Sequence, residues 1–365
     1  MDWRELSQEM REALDRAIKR EDFVLGEDVQ SFETEVADYL GVKHAIGLNS
    51  GTDAFRAALI AIDLQEGDEV ITTPFCFASD AAAVVMEGGK PVFADIDPRT
   101  CNIDIDRVAE KISEKTKAII PAHMYGVPVD MDPLMALARD HGIYIIEDVC
   151  QAFGATYKGK KVGSFGEFAG YSFYPTKPLG SYGDAGLITT DSDAFSEKIK
   201  MIRNHGSRKK YYHEFIGFSS RLDTIQAAIL RVRLKYVNHI LDSLSQMQVA
   251  YDQGLKGIGG IILPPRSTEV TEGFSLYTIR TNRRSELLDH LASKGIKAGV
   301  YYPLSIHLQK AFSFLGHRLG DFPESEKAQE EVLSLPFDIY TTKEQVDSVC
   351  DAIRRFFIKQ DKKNC

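Results

Sequence analysis

The chain has 365 residues, of which 44% are hydrophobic and 27% charged, and its formal net charge is −9. This length exceeds what one hydrophobic core usually supports, so we expect two domains, or one large domain with an appendage, in an ordinary globular protein. The absence of a long apolar run or a signal-peptide pattern predicts a soluble, cytoplasmic protein, and the acidic charge argues against a nucleic-acid partner.

The cysteines are odd in number and widely scattered: Cys76, Cys101, Cys150, Cys350 and Cys365. No two of them have the spacing of a metal-ligand motif. We therefore predict reduced thiols in a reducing compartment, with no disulfide and no metal site.

The first thirty residues place apolar side chains at helical spacing, which predicts a helical arm and then a short extended piece at residues 23–26. A helix is predicted at 31–40, where Gly41 ends it, and a strand at 44–48. The turn Ser50-Gly51-Thr52 then leads into a helix at 54–62. Its free backbone N–H groups lie at the positive end of the helix dipole, the usual place for a phosphate, although a plain N-cap is the alternative.

Strands and helices then alternate as far as residue 147. We predict strands at 69–73, 90–94, 118–122 and 143–147, and helices at 77–86, 107–114 and 131–140. This alternation predicts an α/β fold with a mainly parallel sheet and helices on both faces. Ligands bind beyond the carboxyl ends of such strands, and residues 50–53, Phe77, Asp148 with Gln151, and residues 172–177 are predicted there.

Lys177 lies between Pro175 and Pro178, after an apolar, aromatic run that predicts a buried strand. A constrained turn therefore presents its amine. A partly desolvated lysine loses its proton more easily, and the neutral amine is the form that condenses with a carbonyl to give a Schiff base. A surface turn lysine is the alternative, and this segment by itself does not decide between them.

The remaining chain changes in composition. Residues 221–251 sustain a helical period, which predicts a long helix or a broken pair of helices, and a glycine- and proline-rich segment follows. A smaller α+β pattern then appears, with strands at 275–281 and 298–302 and helices at 286–294 and 343–357. We place a domain boundary near residue 250, so that residues 1–250 form the arm and large domain and residues 251–365 the small domain.

A site for pyridoxal phosphate would use together the lysine, the helix N-terminus and the strand-end residues described above. Its aldehyde needs a lysine, its phosphate a helix N-terminus, its ring a stacking partner, and its ring nitrogen an acid. Asp148 at a strand end could hold the ring nitrogen protonated, although Asp after a strand is often an N-cap. Phe77 could stack on the ring, Gln151 could reach the ring hydroxyl and Ser172 the phosphate, and for Phe77 a place in the core is the alternative.

The chain resembles the DegT/DnrJ/EryC1/StrS family of pyridoxal-phosphate nucleotide-sugar aminotransferases over nearly its whole length. The motifs that carry the resemblance are residues 50–54, 67–74, 145–152, 171–186, 220–228 and 302–307. The resemblance implies the aspartate-aminotransferase-like fold (fold type I) and a homodimer whose two active sites lie at the subunit interface.

Matching these motifs residue by residue implies the following roles. Lys177 would be the Schiff-base lysine and proton shuttle, and Asp148 the partner of the ring nitrogen. The other cofactor contacts would be Gly51, Thr52, Asp53 through its backbone, Phe77, Gln151, Ser172 and Ser219, and the substrate contacts Arg221, Tyr302 and His307. Ser219 departs from the pattern, because the family usually has an Asn there that reaches the phosphate of the neighbouring subunit, and a hydroxyl would need a bridging water.

The Lys177 segment resembles the branch that aminates 3-keto nucleotide sugars with glutamate, for surface polysaccharides or glycosylated metabolites. The uronate enzymes of that branch carry His-Tyr-Pro where this chain has Tyr301-Tyr302-Pro303. The alternatives are a 4-keto sugar aminotransferase, a pyridoxal-phosphate sugar dehydratase, and a non-catalytic regulator that senses the cofactor or a sugar nucleotide. Lys177 and the scattered cysteines disfavour the dehydratase, and no Gly-x-Gly-x-x-Gly supports a dinucleotide-binding dehydrogenase.

Overall fold

The computed structural model describes residues 3–361. The α-helices in this range are α1 Trp3–Arg20, α2 Glu27–Leu40, α3 Gly51–Ala61, α4 Ser79–Met86, α5 Ile105–Lys111, α6 Met131–His141, α7 Asp193–Ile202, α8 Thr224–Lys235, α9 Val237–Leu255, α10 Arg284–Ala292, α11 Pro323–Glu331 and α12 Lys343–Asp361. The strands are β1 His44–Leu48, β2 Glu69–Thr72, β3 Lys90–Phe93, β4 Thr116–Ile119, β5 Tyr144–Asp148, β6 Thr156–Tyr157, β7 Lys160–Lys161, β8 Phe168–Ser172, β9 Gly186–Thr190, β10 Ser207–Lys209, β11 Tyr212–His213, β12 Val270–Thr271, β13 Tyr277–Arg280 and β14 Val332–Leu335.

The central sheet has seven strands in the order β1-β9-β8-β5-β4-β2-β3. Strand β9 runs antiparallel to both of its neighbours, whereas the other strand pairs are parallel. The predicted α/β fold with a mainly parallel sheet is therefore confirmed. The antiparallel strand β9 was not predicted.

The sheet separates two hydrophobic cores. Successive side chains of a strand point to opposite faces, so Ile145 packs in one core and Ile146 in the other, and Leu187 and Ile188 divide in the same way. Helices α3 and α7 cover one face, and α2 and α8 belong to the other. Burial on both faces explains why these strands are continuous apolar runs in the sequence.

Strand β9 organises the edge of the sheet where the candidate site lies. Its first residue, Gly186, pairs with Leu48 at the end of β1 and with Ser172 at the end of β8. Asp148 ends β5 and pairs with Gly170 of β8. The carboxyl ends of β1, β5 and β8 therefore meet at one edge, as predicted.

The N-terminal helix packs on α8 of the same chain. Apolar residues of α1, among them Leu6, Met10 and Ala17, are buried against Ala228 and Val232 of α8. Of the two possibilities for residues 221–251, the broken pair is the correct one, because α8 ends at Lys235 and α9 begins at Val237. Helix α2 begins at Glu27, four residues before the predicted start, after Gly26 in extended conformation.

The C-terminal part is built around the antiparallel pair β13 and β14. Helix α12 packs on α9, and Tyr251 of α9 stacks on Tyr277 of β13 with ring centroids 4.6 Å apart. Helix α9 runs continuously through residue 250, from Val237 to Leu255. The boundary near residue 250 stays a proposal.

Two expectations for the C-terminal part differ from the structure. The strand predicted at 298–302 is wrong: only Gly299 bridges to Ser334, and Pro303 cannot donate a hydrogen bond to continue the pairing. An added Cβ at Gly299 would lie 2.7 Å from the Tyr301 ring, so this ring lies against the Gly299 backbone. Helix α11 and strand β14 were not predicted.

No helix within residues 3–361 is long and apolar enough to cross a membrane. In the same range Cys76, Cys101, Cys150 and Cys350 are free thiols, and Cys365 lies outside the described residues.

Candidate active site

The turn before α3 forms one wall of the site. Ser50 caps α3 by accepting a hydrogen bond from the Asp53 N–H at 3.2 Å. The N–H groups of Gly51 and Thr52 have no acceptor inside the helix, since they belong to its first turn. An added Cβ at Gly51 would lie 2.8 Å from Cys150 Sγ and 3.2 Å from Ser172 Cβ, so this backbone approaches β8 closely. The turn therefore presents donors for an anion beside Ser172.

Lys177 lies in a tight turn after β8. Its N–H donates to the Tyr174 carbonyl at 2.9 Å, and the Ser181 N–H donates to the Phe173 carbonyl at 2.7 Å, which closes the loop. Gly180 packs against the Lys177 and Pro175 carbonyls so closely that a Cβ would lie within 3.0 Å of both. The side chain of Lys177 is half-buried. These contacts fix the backbone from which its amine extends.

Asp148, the last residue of β5, is only 6% exposed. One of its carboxylate oxygens accepts from the Cys150 N–H at 2.8 Å. Its backbone pairs with the neighbouring segment, where the His123 N–H donates to its carbonyl and its own N–H donates to the Pro121 carbonyl. The carboxylate is thus held rigidly in a poorly solvated position.

Asp80 is a second buried carboxyl group at this edge that the sequence analysis did not identify. It is fully buried in the first turn of α4, where Cys76 Sγ lies 3.6 Å and Ser79 Oγ 3.0 Å from its oxygens. Burial, and then the nearby Asp148 carboxylate, raises the pKa of Asp80 well above its usual value. An acidic residue within the otherwise small and apolar helix Ser79–Met86 was the available sequence signal.

Gln151 and Tyr302 meet across the two parts of the chain. Gln151 Oε1 accepts from the Tyr125 N–H at 2.9 Å, and its Nε2 donates to the Tyr302 hydroxyl at 3.3 Å. Burial raises the pKa of Tyr302. Both residues line a cavity of about 490 Å³, and Lys177 lines the same cavity. Three of the predicted site residues therefore share one cavity.

Phe77 lies at the margin of this region. The residue is 58% exposed, and its ring centroid is 6.1 Å from that of Tyr302. The helix predicted to start at Phe77 begins at Ser79, so Phe77 belongs to the preceding loop. The alternative of Phe77 as a core residue is wrong, because this residue is exposed. Its ring lies beside Tyr302 and is free to contact a ligand.

Ser219 and Arg221 do not line this cavity. Ser219 is exposed and bridges through its backbone to Asn204, whose Oδ1 accepts from Arg221 Nη1 at 3.2 Å. Arg221 forms no salt bridge with the nearby acidic residues Asp223 and Glu214: across the described chain, no carboxylate lies within salt-bridge distance of this guanidinium. Arg221 therefore keeps donors that another molecule could use.

His307 is buried in a short 3-10 turn, Ile306–Leu308. Its Nε2 lies 3.0 Å from Glu326 Oε1, and its ring packs on Phe322 at 4.8 Å between centroids. It does not line the cavity. Its role in substrate binding stays a prediction, and these contacts favour a structural function within this chain.

The comparisons with known proteins decide the family. A family model described as the DegT/DnrJ/EryC1/StrS aminotransferase family matches residues 4–354. This chain belongs to that family. A curated relative, the dTDP-3-amino-3,4,6-trideoxy-alpha-D-glucose transaminase of Streptomyces venezuelae, is 38% identical over 98% of this chain and 95% of its own length. The resemblance inferred from the motifs is confirmed.

Two further comparisons cover the aminotransferase-family chain almost completely. A protein named pleiotropic regulatory protein from Geobacillus stearothermophilus is 43% identical over 97% of this chain and 96% of its own length. The crystal structure of S. venezuelae DesV in complex with a ketimine intermediate is 38% identical, with a TM-score of 0.95 over 97% of this chain and 95% of that chain. This structural match confirms the expected fold class.

The residues of this aminotransferase-family site fit pyridoxal phosphate. The close approach of Gly51 to Ser172 leaves backbone and hydroxyl donors for a phosphate, and a larger residue at position 51 would fill that space. Asp148 offers a buried carboxylate of the kind that a pyridinium nitrogen requires. The amine of Lys177 has no hydrogen-bond partner within residues 3–361 and is available to a carbonyl group. Lysine, carboxylate and anion-binding turn are therefore present at one edge of the sheet.

Proposed function

We propose that this protein is a cytoplasmic, homodimeric, pyridoxal-phosphate-dependent aminotransferase. It would move an amino group from glutamate to a keto group, at C3, of a nucleotide-linked sugar. The observation that carries the proposal is the placement of Lys177 on a cavity with Gln151 and Tyr302, above the carboxyl ends of β5 and β8 where Asp148 and Ser172 lie. The transaminase function and 3-amino product of the S. venezuelae relative support the reaction and the position.

The cofactor would be held by groups that are already in place. The N–H groups of Gly51 and Thr52 and the Ser172 hydroxyl would bind its phosphate. Phe77, exposed beside Tyr302, would contact the ring face, and Gln151 the ring oxygen. The Asp53 N–H is already engaged by Ser50, so its contribution to the phosphate would be shared.

Asp148 and Lys177 would have distinct chemical roles. The Asp148 carboxylate would keep the ring nitrogen protonated, because burial makes a nearby positive charge favourable for it. When bound, pyridoxal phosphate supplies an electron sink for the carbon that loses a proton. Lys177 Nζ would take that proton from the amino donor and deliver a proton to the sugar carbon that becomes aminated.

One lysine serving both half-reactions predicts ping-pong kinetics. Glutamate would leave its amino group on the enzyme and depart as 2-oxoglutarate before the keto sugar binds. Glutamate by itself should therefore change the visible absorbance of the protein, and removal of the glutamate should leave that change in place. A kinetic pattern that requires both substrates to be bound at once would contradict this order.

The decisive experiment is incubation of the purified protein with pyridoxal phosphate, glutamate and a panel of 3-keto and 4-keto nucleotide sugars. We expect a product whose mass shows exchange of a keto oxygen for an amine, with 3-keto sugars preferred and no product with Lys177→Ala. Reduction with borohydride should attach the cofactor covalently to Lys177. Label on a different lysine would show that Lys177 is not the Schiff-base lysine. Amination of 4-keto sugars only would show that the keto group at C4, and not at C3, is aminated.

The name of the G. stearothermophilus relative supports a second candidate, a regulator that binds the cofactor or a sugar nucleotide without turnover. The two candidates differ in the response to glutamate. A regulator should bind pyridoxal phosphate but show no lasting absorbance change with glutamate and no aminated product. A lasting change would exclude a purely sensory role.

A further inference from the structure

Three arginines within residues 3–361 are buried: Arg203, Arg233 and Arg280. Arg203 pairs with Glu33, and Arg280 pairs with Glu331 at 2.9 Å. Arg233 differs, since no carboxylate of the described chain lies within salt-bridge distance of it. Burying a guanidinium without a counter-charge is costly, so this arrangement requires an explanation.

The hydrogen bonds of Arg233 are incomplete. Nη1 donates to the Gly180 carbonyl at 2.6 Å, which holds the end of the Lys177 loop. Nε is buried without a partner in the described part of the chain. Burial lowers the pKa of this guanidinium. An arginine still keeps its charge in proteins, so both the charge and a donor remain unsatisfied.

Arg233 lies on the same cavity as Lys177, Gln151 and Tyr302. The charged residues of this lining are Lys177, Arg233, Lys297 and Asp338. The single carboxylate among them, Asp338, accepts from the Tyr340 N–H at 2.8 Å and from Thr341 Oγ1 at 3.1 Å. The cavity therefore carries an excess of positive charge beside the candidate catalytic lysine.

We propose that Arg233 binds a carboxylate of the substrate in this cavity, and that this carboxylate belongs to the amino donor. The inference rests on the proposed aminotransferase function. A guanidinium matches a carboxylate with two parallel hydrogen bonds, whereas the lysine amines can only act as point charges. Every turnover brings a carboxylate-bearing donor into the cavity, so Arg233 would meet its counter-charge in each cycle.

The same chemistry could serve a carboxylate on the sugar, and two probes separate the sources. Glutarate has the two carboxylates and carbon chain of the donor but no amine, so it binds without reacting. Glucuronate presents a sugar carboxylate, and 1,5-pentanediol is the uncharged control for glutarate. Binding is measured by titration calorimetry on the full-length protein, with and without added pyridoxal phosphate.

The variant Arg233→Gln removes the charge and keeps a hydrogen-bond donor in the side chain. The matched control is Arg231→Gln on the same helix, since Arg231 pairs with Asp28 and Glu35 away from the cavity. We expect the wild type to bind glutarate but not pentanediol. Arg233→Gln should bind glutarate about 10- to 100-fold more weakly, as for loss of a charged, two-pronged contact, and Arg231→Gln should match the wild type.

The outcomes separate this inference from the proposed function. Equal glutarate binding by wild type and Arg233→Gln overturns the inference, as does equal binding of glutarate and pentanediol by the wild type. If glucuronate but not glutarate binds in an Arg233-dependent way, the assignment of the carboxylate to the amino donor is overturned. The carboxylate that Arg233 binds would then belong to the sugar. If Arg233→Gln does not fold, Arg233→Lys must show the weakening. Arg233-dependent glutarate binding in a protein that never transaminates would overturn the proposed function only.

Discussion

At the scale of single residues, the position of Asp148 at the end of β5 determines the environment of its carboxylate. Strand pairing fixes its backbone, and the Cys150 N–H fixes one carboxylate oxygen, so the side chain cannot turn toward solvent. A carboxylate held in a poorly solvated place interacts strongly with a positive partner. This is the property that a ring-nitrogen partner needs.

Asp148→Asn should retain the fold and most cofactor binding but lower the aminotransferase rate by about a hundredfold or more, since an amide cannot hold the ring nitrogen protonated. The measurement is the single-turnover rate with glutamate, followed by absorbance. Circular dichroism and cofactor content provide the control. A rate close to that of the wild type would remove Asp148 from its role.

The raised pKa of Asp80 predicts that the stability of the folded protein depends on pH. Its pKa is raised by burial and by Asp148, so above about pH 4 the folded state keeps a proton that the unfolded chain has lost. The folded state then binds more protons, and its stability falls as the pH rises through this interval. The variant Asp80→Asn has no proton to lose at this position, so this decrease in stability with pH should be absent. The gain in Tm of Asp80→Asn over the wild type should therefore be larger at pH 8 than at pH 5.

The test uses protein freed of cofactor, so that only the apoprotein titrates. The control is Asp289→Asn, which changes an exposed aspartate on α10. Its effect on Tm should not vary with pH in this way. The interpretation fails if Asp80→Asn shifts Tm equally at both pH values.

At the scale of elements, strand β9 positions the turn that we propose binds the phosphate. An added Cβ at Gly186 would lie 2.2 Å from the Ser50 carbonyl carbon and 2.7 Å from the Gly51 nitrogen. These are backbone atoms, which cannot move aside as a flexible side chain can. The turn before α3 and the start of β9 therefore fit only while residue 186 is glycine.

Gly186→Ala should displace this turn, with a cost of about 1 to 3 kcal/mol in the free energy of unfolding, as for other overpacked sites. Because the displaced backbone carries the proposed phosphate donors, affinity for pyridoxal phosphate should fall as well. Chemical denaturation and cofactor titration measure the two effects. Gly259→Ala is the matched control, since nothing lies within 4 Å of its added Cβ, and both quantities should stay near wild type. Unchanged cofactor affinity in Gly186→Ala would contradict this role for the turn.

At the scale of the whole molecule, Arg221 connects the site to the proposed dimer. It does not line the cavity described above, and within residues 3–361 its guanidinium donates a hydrogen bond to Asn204. If it serves the partner subunit, each active site combines Lys177 of one chain with Arg221 of the other. Shared sites of this kind follow from a two-fold symmetric interface.

Mixing Lys177→Ala with Arg221→Ala under subunit exchange should then restore activity. Random exchange gives mixed dimers with one intact site each, so recovery should approach about a quarter of wild-type activity. Light scattering and native mass spectrometry verify dimerisation and exchange. Demonstrated exchange without recovery would place Arg221 in its own subunit's site or outside the site.

The elements that could be predicted were those with a clear period. The strands and helices up to residue 147 repeat one alternating pattern, so each supports the interpretation of the next, whereas β14 is a single short strand that follows the mostly polar helix α11. Likewise Lys177 and Asp148 could be identified, because each follows a buried apolar strand. Arg233 could not be identified, because a helical position loses its solvent only when other segments cover it, and for Asp80 the sequence offered only an acidic residue within an apolar helix.

The sequence by itself determined the fold class, the family motifs and the residues at the ends of the strands. These depend on periodicity and on turn chemistry that acts within a few residues. Only the tertiary structure decided that β9 runs antiparallel between β1 and β8, that Arg221 forms no salt bridge, and that Arg233 is buried without a counter-charge. Burial and charge pairing depend on which distant segments pack together. The local spacing of residues does not determine which segments these are.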